Sequence, residues 1–208
     1  MDSTITQMNI YSKDGSVKRF FTNKIDSITF TQCPAKVNYE GKIYNTVIIG
    51  TQCWLKENLD VGTMINGNQD QTNDGAIEKY CYNNEPDKCS TYGGLYQWDE
   101  AMQYSKKEGT RGICPKGWHV PTLSEFQELR EAVNGDGNIL QQAGFSALNT
   151  GYFYPPGNFF DHLGYDTNFW SSTQIDEQGA NNMRLYQNQI NFLGTLKIDG
   201  FPIRCIKN

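Results

Sequence analysis

The chain has 208 residues and a formal net charge of −5, with 18 basic and 23 acidic residues. This length fits one domain with a small appendage, and the charge balance excludes the basic surface that nucleic-acid binding requires. Phe, Leu, Ile and Val make up only about a fifth of the chain, but 12 Tyr and 4 Trp add rings that can fill a core. No apolar run is long enough to cross a bilayer.

The N-terminal segment 1–32 alternates apolar and polar residues, a pattern typical of β-strands. Two such runs flank the turn sequence Lys13-Asp14-Gly15-Ser16, and a third run covers 25–30. We therefore expect a β-hairpin followed by a short third strand, which is too small to fold alone. Cys33-Pro34 marks the boundary to a domain over 33–208.

That domain opens with a second predicted hairpin, in which 37–39 and 43–49 flank Glu40-Gly41-Lys42. Two helices are then predicted, the first over 96–106 from the helical spacing of its apolar residues. The second begins after Thr122, where Glu125 completes a capping box, and ends at Gly135.

Alternating residues return from Phe169 to Cys205 and predict several further strands, punctuated by Gly194, Asp199 and Gly200. Helices in the middle and strands at both ends predict an α+β domain with mixed or antiparallel sheets, in which the terminal strands can pair. Trp118 and Trp170 lie inside strand-like patterns, so we expect them in the core.

Six cysteines, an even number without any CxxC pair, favour disulfides over a zinc cluster. Fifteen pairings are open, although Cys81 with Cys89 closes the shortest loop and is the easiest local bridge. Disulfides imply an oxidising location. The residues after Met1 lack the basic start and the apolar stretch of a signal peptide. Either a leader has been removed, or the location is not an oxidising one.

Four ordered blocks between residues 44 and 207 resemble the Fibrobacter succinogenes major paralogous domain, and we take the resemblance to cover 33–208. The blocks are 44–59 (YNTVIIGTQCWLKENL), 80–84 with 92–98 (YCYNN and YGGLYQW), 114–122 (CPKGWHVPT), and 169–173 with 203–207 (FWSST and IRCIK). The stretch 25–30 is similar to the leader region of Bacteroidetes surface lipoproteins.

The resemblance implies a fold related to C-type lectins and to the formylglycine-generating enzymes. It also implies export, at the cell surface, the outer membrane or the periplasm, with membrane contact only through a removed lipid-anchored leader. Because the two chain ends pair in such a fold, it implies a bridge from Cys114 to Cys205. Cys33–Cys53 and Cys81–Cys89 are then the remaining pairs.

Enzymatic chemistry is not expected. The formylglycine-generating relatives use two nearby cysteines late in the chain, whereas here Cys205 is alone in the last ninety residues. A nucleophile built from Cys114 and His119 would need a free thiolate, and we expect that sulfur in a disulfide. We therefore assign no catalytic residue and no cofactor.

No metal site is expected either. C-type lectins bind calcium through a Trp-Asn-Asp strand, and this chain has Trp170-Ser171-Ser172, without the acid and the amide. Glu85-Pro86-Asp87 is interpreted as a disulfide-closed turn. The oxygens of Asp70, Asn73, Asp74 and Glu78 do not follow the EF-hand spacing, so we interpret 66–75 as a solvated polar loop.

The candidate ligand-binding segment is an aromatic stretch at the position of the variable loop in lectin-like folds. Its rings can stack on sugars and its polar side chains can bond hydroxyls, while the alternative is that the rings fill the core. The candidate residues are Tyr152, Tyr154, Asn158, Phe159, Phe160, Asp161 and His162.

Three functions follow in order of preference. The first is an exported, non-enzymatic binding or adhesion module with a glycan or a surface protein as ligand. The second is a purely structural domain of a surface or fimbria-like assembly, and the third is an enzyme. Exposure of the aromatic segment favours the first, and its full burial favours the second.

Overall fold

The structure is a computed structural model that describes residues 7–11, 16–21 and 33–208. The chain divides into two compact units, 1–32 and 33–208, and each is described by itself. In the first unit β1 (Gln7–Tyr11) and β2 (Val17–Phe21) pair antiparallel, as the predicted hairpin requires. The turn residues 12–15 and the predicted third strand over 25–30 lie outside the described residues.

The second unit mixes helices and strands, so the predicted α+β class is confirmed. Its strands are β3 (Lys36–Tyr39), β4 (Lys42–Ile49), β5 (Gln52–Leu55), β6 (Thr63–Met64), β7 (Glu78–Lys79), β8 (Trp118–His119), β9 (Thr150–Tyr154), β10 (Phe159–Leu163), β11 (Asp166–Gln174), β12 (Gly179–Tyr186), β13 (Gln189–Leu196) and β14 (Ile206–Lys207). Its α-helices are α1 (Pro86–Tyr92), α2 (Trp98–Ala101), α3 (Leu123–Ala132) and α4 (Gly137–Leu140).

The first five-stranded sheet has the order β3-β4-β5-β14-β8 and joins the two ends of this unit. Its opening hairpin turns at Glu40 and Gly41, whose φ angles of 48° and 75° suit the two-residue turn between paired strands. Ile206 of β14 lies opposite Trp54 of β5 and opposite His119 of β8. The predicted pairing of early and late strands is therefore confirmed.

The second five-stranded sheet has the order β10-β9-β11-β12-β13. Its strand pairs are antiparallel except for β9 with β11, which makes the sheet mixed. The aromatic segment, which the sequence analysis places in a loop, instead forms the β9–β10 hairpin at one edge of this sheet.

The helix after Thr122 is confirmed. Thr122 and Glu125 form the reciprocal capping box, and Asn134 and Gly135 then adopt left-handed φ angles of 53° and 74° just after the helix. The Cys81–Cys89 bridge encloses 85–87 as predicted, but the segment is the start of the unpredicted helix α1 rather than a turn, because Pro86 suits the first helical position.

The predicted helix over 96–106 is too long, because α2 ends at Ala101. The carbonyl of Ala101 accepts a hydrogen bond from the backbone N–H of Ile113 (3.0 Å), and the backbone N–H of Ser105 donates to Met102 instead. Gln103 and Tyr104 take left-handed conformations. A distant segment therefore uses the carbonyl that a longer helix would need.

Large aromatic rings form much of the core, as the shortage of aliphatic residues predicts. Trp54, Trp98 and Trp170 are fully buried, and Trp118 is buried as well. The Trp54 ring stacks on Phe126 with ring centroids 5.5 Å apart and meets the edge of Phe145 at 5.6 Å. The expected core positions of Trp118 and Trp170 are confirmed.

All six cysteines are paired in the structure. The bridges are Cys33–Cys53, Cys81–Cys89 and Cys114–Cys205, which are the three pairs that the family resemblance implies. The last of them connects residues 91 positions apart and lies beside the β5–β14 pairing that closes the domain.

A buried arginine reinforces the same closure. The Arg204 side chain is buried, and its Nε and Nη2 donate to Oδ1 of Asn58. Nη1 donates to the carbonyls of Leu55, Lys56 and Phe145, and the guanidinium carbon lies 4.4 Å from the centre of the Phe145 ring. Burial lowers the pKa of Arg204 to about 9, and the nearby Glu57 partly offsets this shift.

Candidate binding face on the second sheet

The β9–β10 hairpin presents its candidate residues in three different environments. Phe160 points toward the core, with its ring 4.6 Å from the ring of the buried Phe153 and 5.4 Å from that of Tyr82. At the turn, Tyr154 and Phe159 contact each other with ring centroids 5.2 Å apart, and Asn158 is exposed with a φ of 45°. The structure therefore does not gather all seven candidate residues into one site.

Three of the seven candidates do come together near the base of the hairpin. Tyr152 lies opposite Asp161 in the strand register, and the ring centroids of Tyr152 and His162 are 5.2 Å apart in an edge-on arrangement. The backbone N–H of His162 donates to Oδ1 of Asp161 (2.8 Å). The side chains of Asp161 and His162 are 52% and 40% exposed, so this group reaches the surface.

The neighbouring strands add two residues that the sequence analysis missed. Asp166 of β11 is buried, and its Oδ2 accepts hydrogen bonds from Nε (2.8 Å) and Nη2 of Arg184 on β12. Nδ1 of His162 lies 3.1 Å from the same oxygen. The Arg184 guanidinium also lies over the Tyr186 ring, 4.8 Å from its centre. Asp166, at the start of the central strand, thus fixes both an imidazole and a guanidinium.

Three buried side-chain oxygens have no hydrogen-bond partner among the described residues, and all three lie in this region. They are Oδ1 of Asp166, Oδ1 of Asn182 and Oδ1 of Asp199. Buried acceptors without donors are rare in native proteins because each lost hydrogen bond costs stability. A donor from an ordered water or from a ligand would complete the hydrogen bonding of such atoms.

The strand register places these oxygens on one face. Asp166 and Trp170 are four residues apart on β11, and Asn182 of β12 lies opposite Trp170, so Asp166 and Asn182 share a face. Thr195 lies opposite Ala180 on the same face, and its hydroxyl donates to Oδ2 of Asp199 (2.7 Å). We call this group the acceptor face, in which Asp166, Asn182 and Asp199 are buried and the other members form a partly exposed rim. It comprises Tyr152, Asp161, His162, Asp166, Asn182, Arg184 and Asp199.

Carboxylates dominate the electrostatics around Tyr152. The pKa of the Tyr152 hydroxyl is raised by burial and by the negative charges of Asp161, Asp166 and Asp199, with Arg184 acting in the opposite direction. Burial also raises the pKa of Asp199, and the hydrogen bond from Thr195 offsets part of that shift. The face therefore favours groups that donate hydrogen bonds or carry positive charge.

Exposed rings border this face. Tyr165, which follows the hairpin, is 73% exposed and has its ring 6.5 Å from that of His162. Tyr165 and Tyr186 also line a neighbouring groove, together with Asn188 and Leu148. An open aromatic ring beside fixed polar groups is the combination that sugar-binding sites use.

The residues of the other regions that the sequence offers as candidate sites have contacts of their own. Cys114 is in a disulfide, and His119 contacts Glu125 (2.8 Å) and Asn208 (2.7 Å) through its two ring nitrogens. In the part of the chain that the structure describes, no three His, Cys, Asp or Glu side chains come close enough to hold a metal ion. Asp74 and Glu78 instead accept hydrogen bonds within their own loop.

A signal for the missed residues is present in the sequence. One face of β11 carries Asp166, Asn168 and Trp170, and the same face of β12 carries Asn182 and Arg184. The residues between them along each strand point to the other face of the sheet. Polar residues at such inward positions, next to a buried Trp, indicate a polar site on the sheet. Their pairing depends on strand register, which the alternation alone does not specify.

Comparison with known protein families gives a match. Residues 47–207 match the family described as the Fibrobacter succinogenes major domain. Since the match covers most of the chain, the protein belongs to that family. Neither the curated proteins nor the solved structures contain a significant match.

Among the described residues, no helix is long and apolar enough to span a bilayer.

Proposed function

We propose that the chain is an exported, non-enzymatic binding module whose acceptor face binds a glycan. The observation that carries the proposal is the buried carboxylate of Asp166, which holds Arg184 and His162 in place while its Oδ1 has no donor among the described residues. Sugar hydroxyls supply donors, and the faces of sugar rings pack on aromatic side chains. Tyr152, His162 and Tyr165 supply such rings at the border of the face.

A C-type-lectin-like fold is part of this proposal. In support, β14 near the end of the domain inserts between β5 and β8, so the two ends of the domain meet in one sheet. The Cys114–Cys205 bridge stabilises the same closure. The family resemblance links this arrangement to lectin-like folds.

Export is proposed from the cysteines. Three disulfides in one domain are typical of proteins that fold in an oxidising compartment. We propose the cell surface, the outer membrane or the periplasm as the location, with a removed lipid-anchored leader as the membrane attachment. Treatment of intact cells with an external protease tests the surface location, because a surface-exposed protein is cleaved and a protein inside the outer membrane is not.

A glycan array with matched variants tests the binding function. Tyr152→Ala and Tyr165→Ala remove rings that border the acceptor face, whereas Phe159→Ala removes an exposed ring at the far turn of the same hairpin. We expect the first two variants to lose binding by about tenfold or more, because aromatic contacts often dominate the affinity of a binding site. The Phe159→Ala variant should bind like the parent protein.

Two results would contradict this assignment. One is a parent protein that binds no glycan on the array, and the other is loss of binding in Phe159→Ala with full binding in Tyr152→Ala. Near-ultraviolet circular dichroism of all variants separates loss of binding from loss of folding.

A structural role in a surface assembly is the second candidate, and one observation favours it. Strand β13 forms an edge of the second sheet, contains no charged residue and exposes Leu193 and Leu196 at 40% and 45%. Natural edge strands usually carry charges that prevent pairing with another chain. If this edge pairs with a surface protein or a second copy, Leu196→Lys should reduce association in light-scattering measurements without affecting glycan binding.

A further inference from the structure

The charges around Tyr152 identify the chemical class of the ligand group that the acceptor face can hold. Asp161 is opposite Tyr152 in the register, and Asp166 contacts the neighbouring His162. Asp199 precedes Gly200, which pairs with Phe153, the residue next to Tyr152. Three carboxylates therefore converge on this one tyrosine from β10, β11 and the segment after β13.

The positive charge available to balance them is already engaged. Arg184 directs Nε and Nη2 to Oδ2 of Asp166 and stacks on Tyr186. Asp161, whose side chain is 52% exposed, and the buried Asp199 have no lysine or arginine ion pair among the described residues. A ligand group entering beside Tyr152 thus meets an excess of negative charge.

Hydrogen bonding points to the same conclusion. The unpartnered atoms of this face, Oδ1 of Asp166, Asn182 and Asp199, are buried and are all acceptors, so any group that comes to pair with them must be a donor. A carboxylate or sulfate would bring more acceptors and more negative charge. A protonated amine brings three donors and a positive charge, and it is also attracted to the faces of aromatic rings.

We propose that the acceptor face takes a protonated amine, and that its ligand is a glycan with free amino groups. This inference rests on the proposed function for its glycan part, whereas the amine part rests on the charges and acceptors alone. Anionic glycans, such as sulfated or carboxylated ones, are excluded by the same groups. Lysine side chains of a protein offer the same amine chemistry, and the experiment must separate the two sources.

The first experiment measures the charge of the face without any glycan. Paramagnetic relaxation of the ring protons of Tyr165 and His162 is recorded with amino-PROXYL and with carboxy-PROXYL, two nitroxides that differ in charge. We expect relaxation by the amino probe to exceed that by the carboxy probe by about twofold or more. Asp161→Asn should lower this ratio, whereas the matched exposed variant Asp87→Asn on α1 should leave it unchanged.

The second experiment compares ligands by calorimetry. The probes are a trimer of glucosamine, its fully N-acetylated form, a sulfated trisaccharide and the peptide trilysine. We expect the glucosamine trimer to bind at least about tenfold more tightly than the acetylated trimer, with an affinity that falls as salt increases. The sulfated trisaccharide should not bind.

Each outcome has a distinct meaning. Tighter binding of the sulfated or acetylated trimer, or stronger relaxation by carboxy-PROXYL, overturns the amine assignment. Attraction of amino-PROXYL without binding of any trimer supports the amine assignment and overturns the proposed glycan function. Tighter binding of trilysine than of the glucosamine trimer supports the amine chemistry and assigns its source to a protein.

Discussion

Two buried charged side chains in this protein have opposite surroundings. All three guanidinium nitrogens of Arg204 donate to protein acceptors, and the group stacks on an aromatic ring. Asp166 is as deeply buried, yet only one of its carboxylate oxygens has a partner among the described residues. The polar groups around Arg204 therefore contribute to closing the domain, whereas Asp166 keeps one carboxylate oxygen for the ligand of the proposed function.

The largest expected effect concerns the Cys114–Cys205 bridge. Replacing both cysteines of the Cys114–Cys205 bridge by alanine should lower the free energy of unfolding by about 4–5 kcal/mol, because the bridge restrains a very long loop in the unfolded chain. Urea denaturation measures the loss. The matched Cys81→Ala/Cys89→Ala variant, with a separation of only 8 residues, should lose about 2–3 kcal/mol. Equal losses would contradict the role of loop length.

Arg204→Lys should cost about 3 kcal/mol, since an ammonium group cannot donate to Asn58, Lys56 and Phe145 together and leaves buried acceptors unpaired. Urea denaturation again provides the measurement. Arg130→Lys is the control because Arg130 is exposed on α3, and its stability should change by less than about 0.5 kcal/mol. A loss below about 1 kcal/mol in Arg204→Lys would show that the network is not required.

A smaller effect should depend on pH. Burial tends to lower the pKa of His119, but the hydrogen bonds from its ring to Glu125 and Asn208 outweigh burial and raise the pKa. The ionised imidazole is thus favoured in the folded state, so its stabilisation is complete below the unfolded pKa of about 6.5 and is lost as pH rises through the folded pKa.

The variant His119→Gln tests this pH dependence. It should lose about 1 kcal/mol of stability near pH 6 and less at pH 8, measured by urea denaturation at both values. Below this range the stability difference between variant and parent should also shrink, because Glu125 becomes protonated. Burial tends to raise the pKa of Glu125, but its contacts, chiefly the hydrogen bond from His119, lower it. A difference that grows from pH 6 to pH 8 would have the wrong sign.

The smallest expected effect is a gain in stability on removing one of the unpartnered carboxylates, in contrast to the losses expected at Arg204. Burial raises the pKa of Asp199, so the folded state binds a proton more readily than the unfolded state, and stability falls as pH rises through this window. Asp199→Asn should therefore increase the free energy of unfolding at pH 7 by up to about 1 kcal/mol, and the gain should disappear at pH values below the unfolded pKa. Destabilisation at pH 7 would contradict an unsatisfied acceptor.

Local features of the sequence predicted several elements of the 33–208 unit. The capping box at Thr122 and the turn at Glu40-Gly41 depend on neighbouring residues, so their patterns carry the needed information. The helix over 96–106 failed because the carbonyl of Ala101 bonds to Ile113, twelve residues away. Such a competing partner has no signature in helical spacing.

The acceptor face was predicted only in part. Tyr152, Asp161 and His162 were recognised because they are adjacent in an aromatic segment. Asp166 and Arg184 meet only through the register of β11 and β12, and the three unpartnered oxygens are defined by burial. Both properties depend on tertiary structure, which residue patterns along the chain do not determine.

The most direct test of the account is a chemical-shift map of the isotopically labelled protein titrated with the glucosamine trimer. We predict saturable shifts at Tyr152, His162 and Arg184, with no change around Arg204, whose donors are already occupied. Shifts centred on any other surface, or an unchanged spectrum at millimolar trimer, would contradict the acceptor face as the binding site.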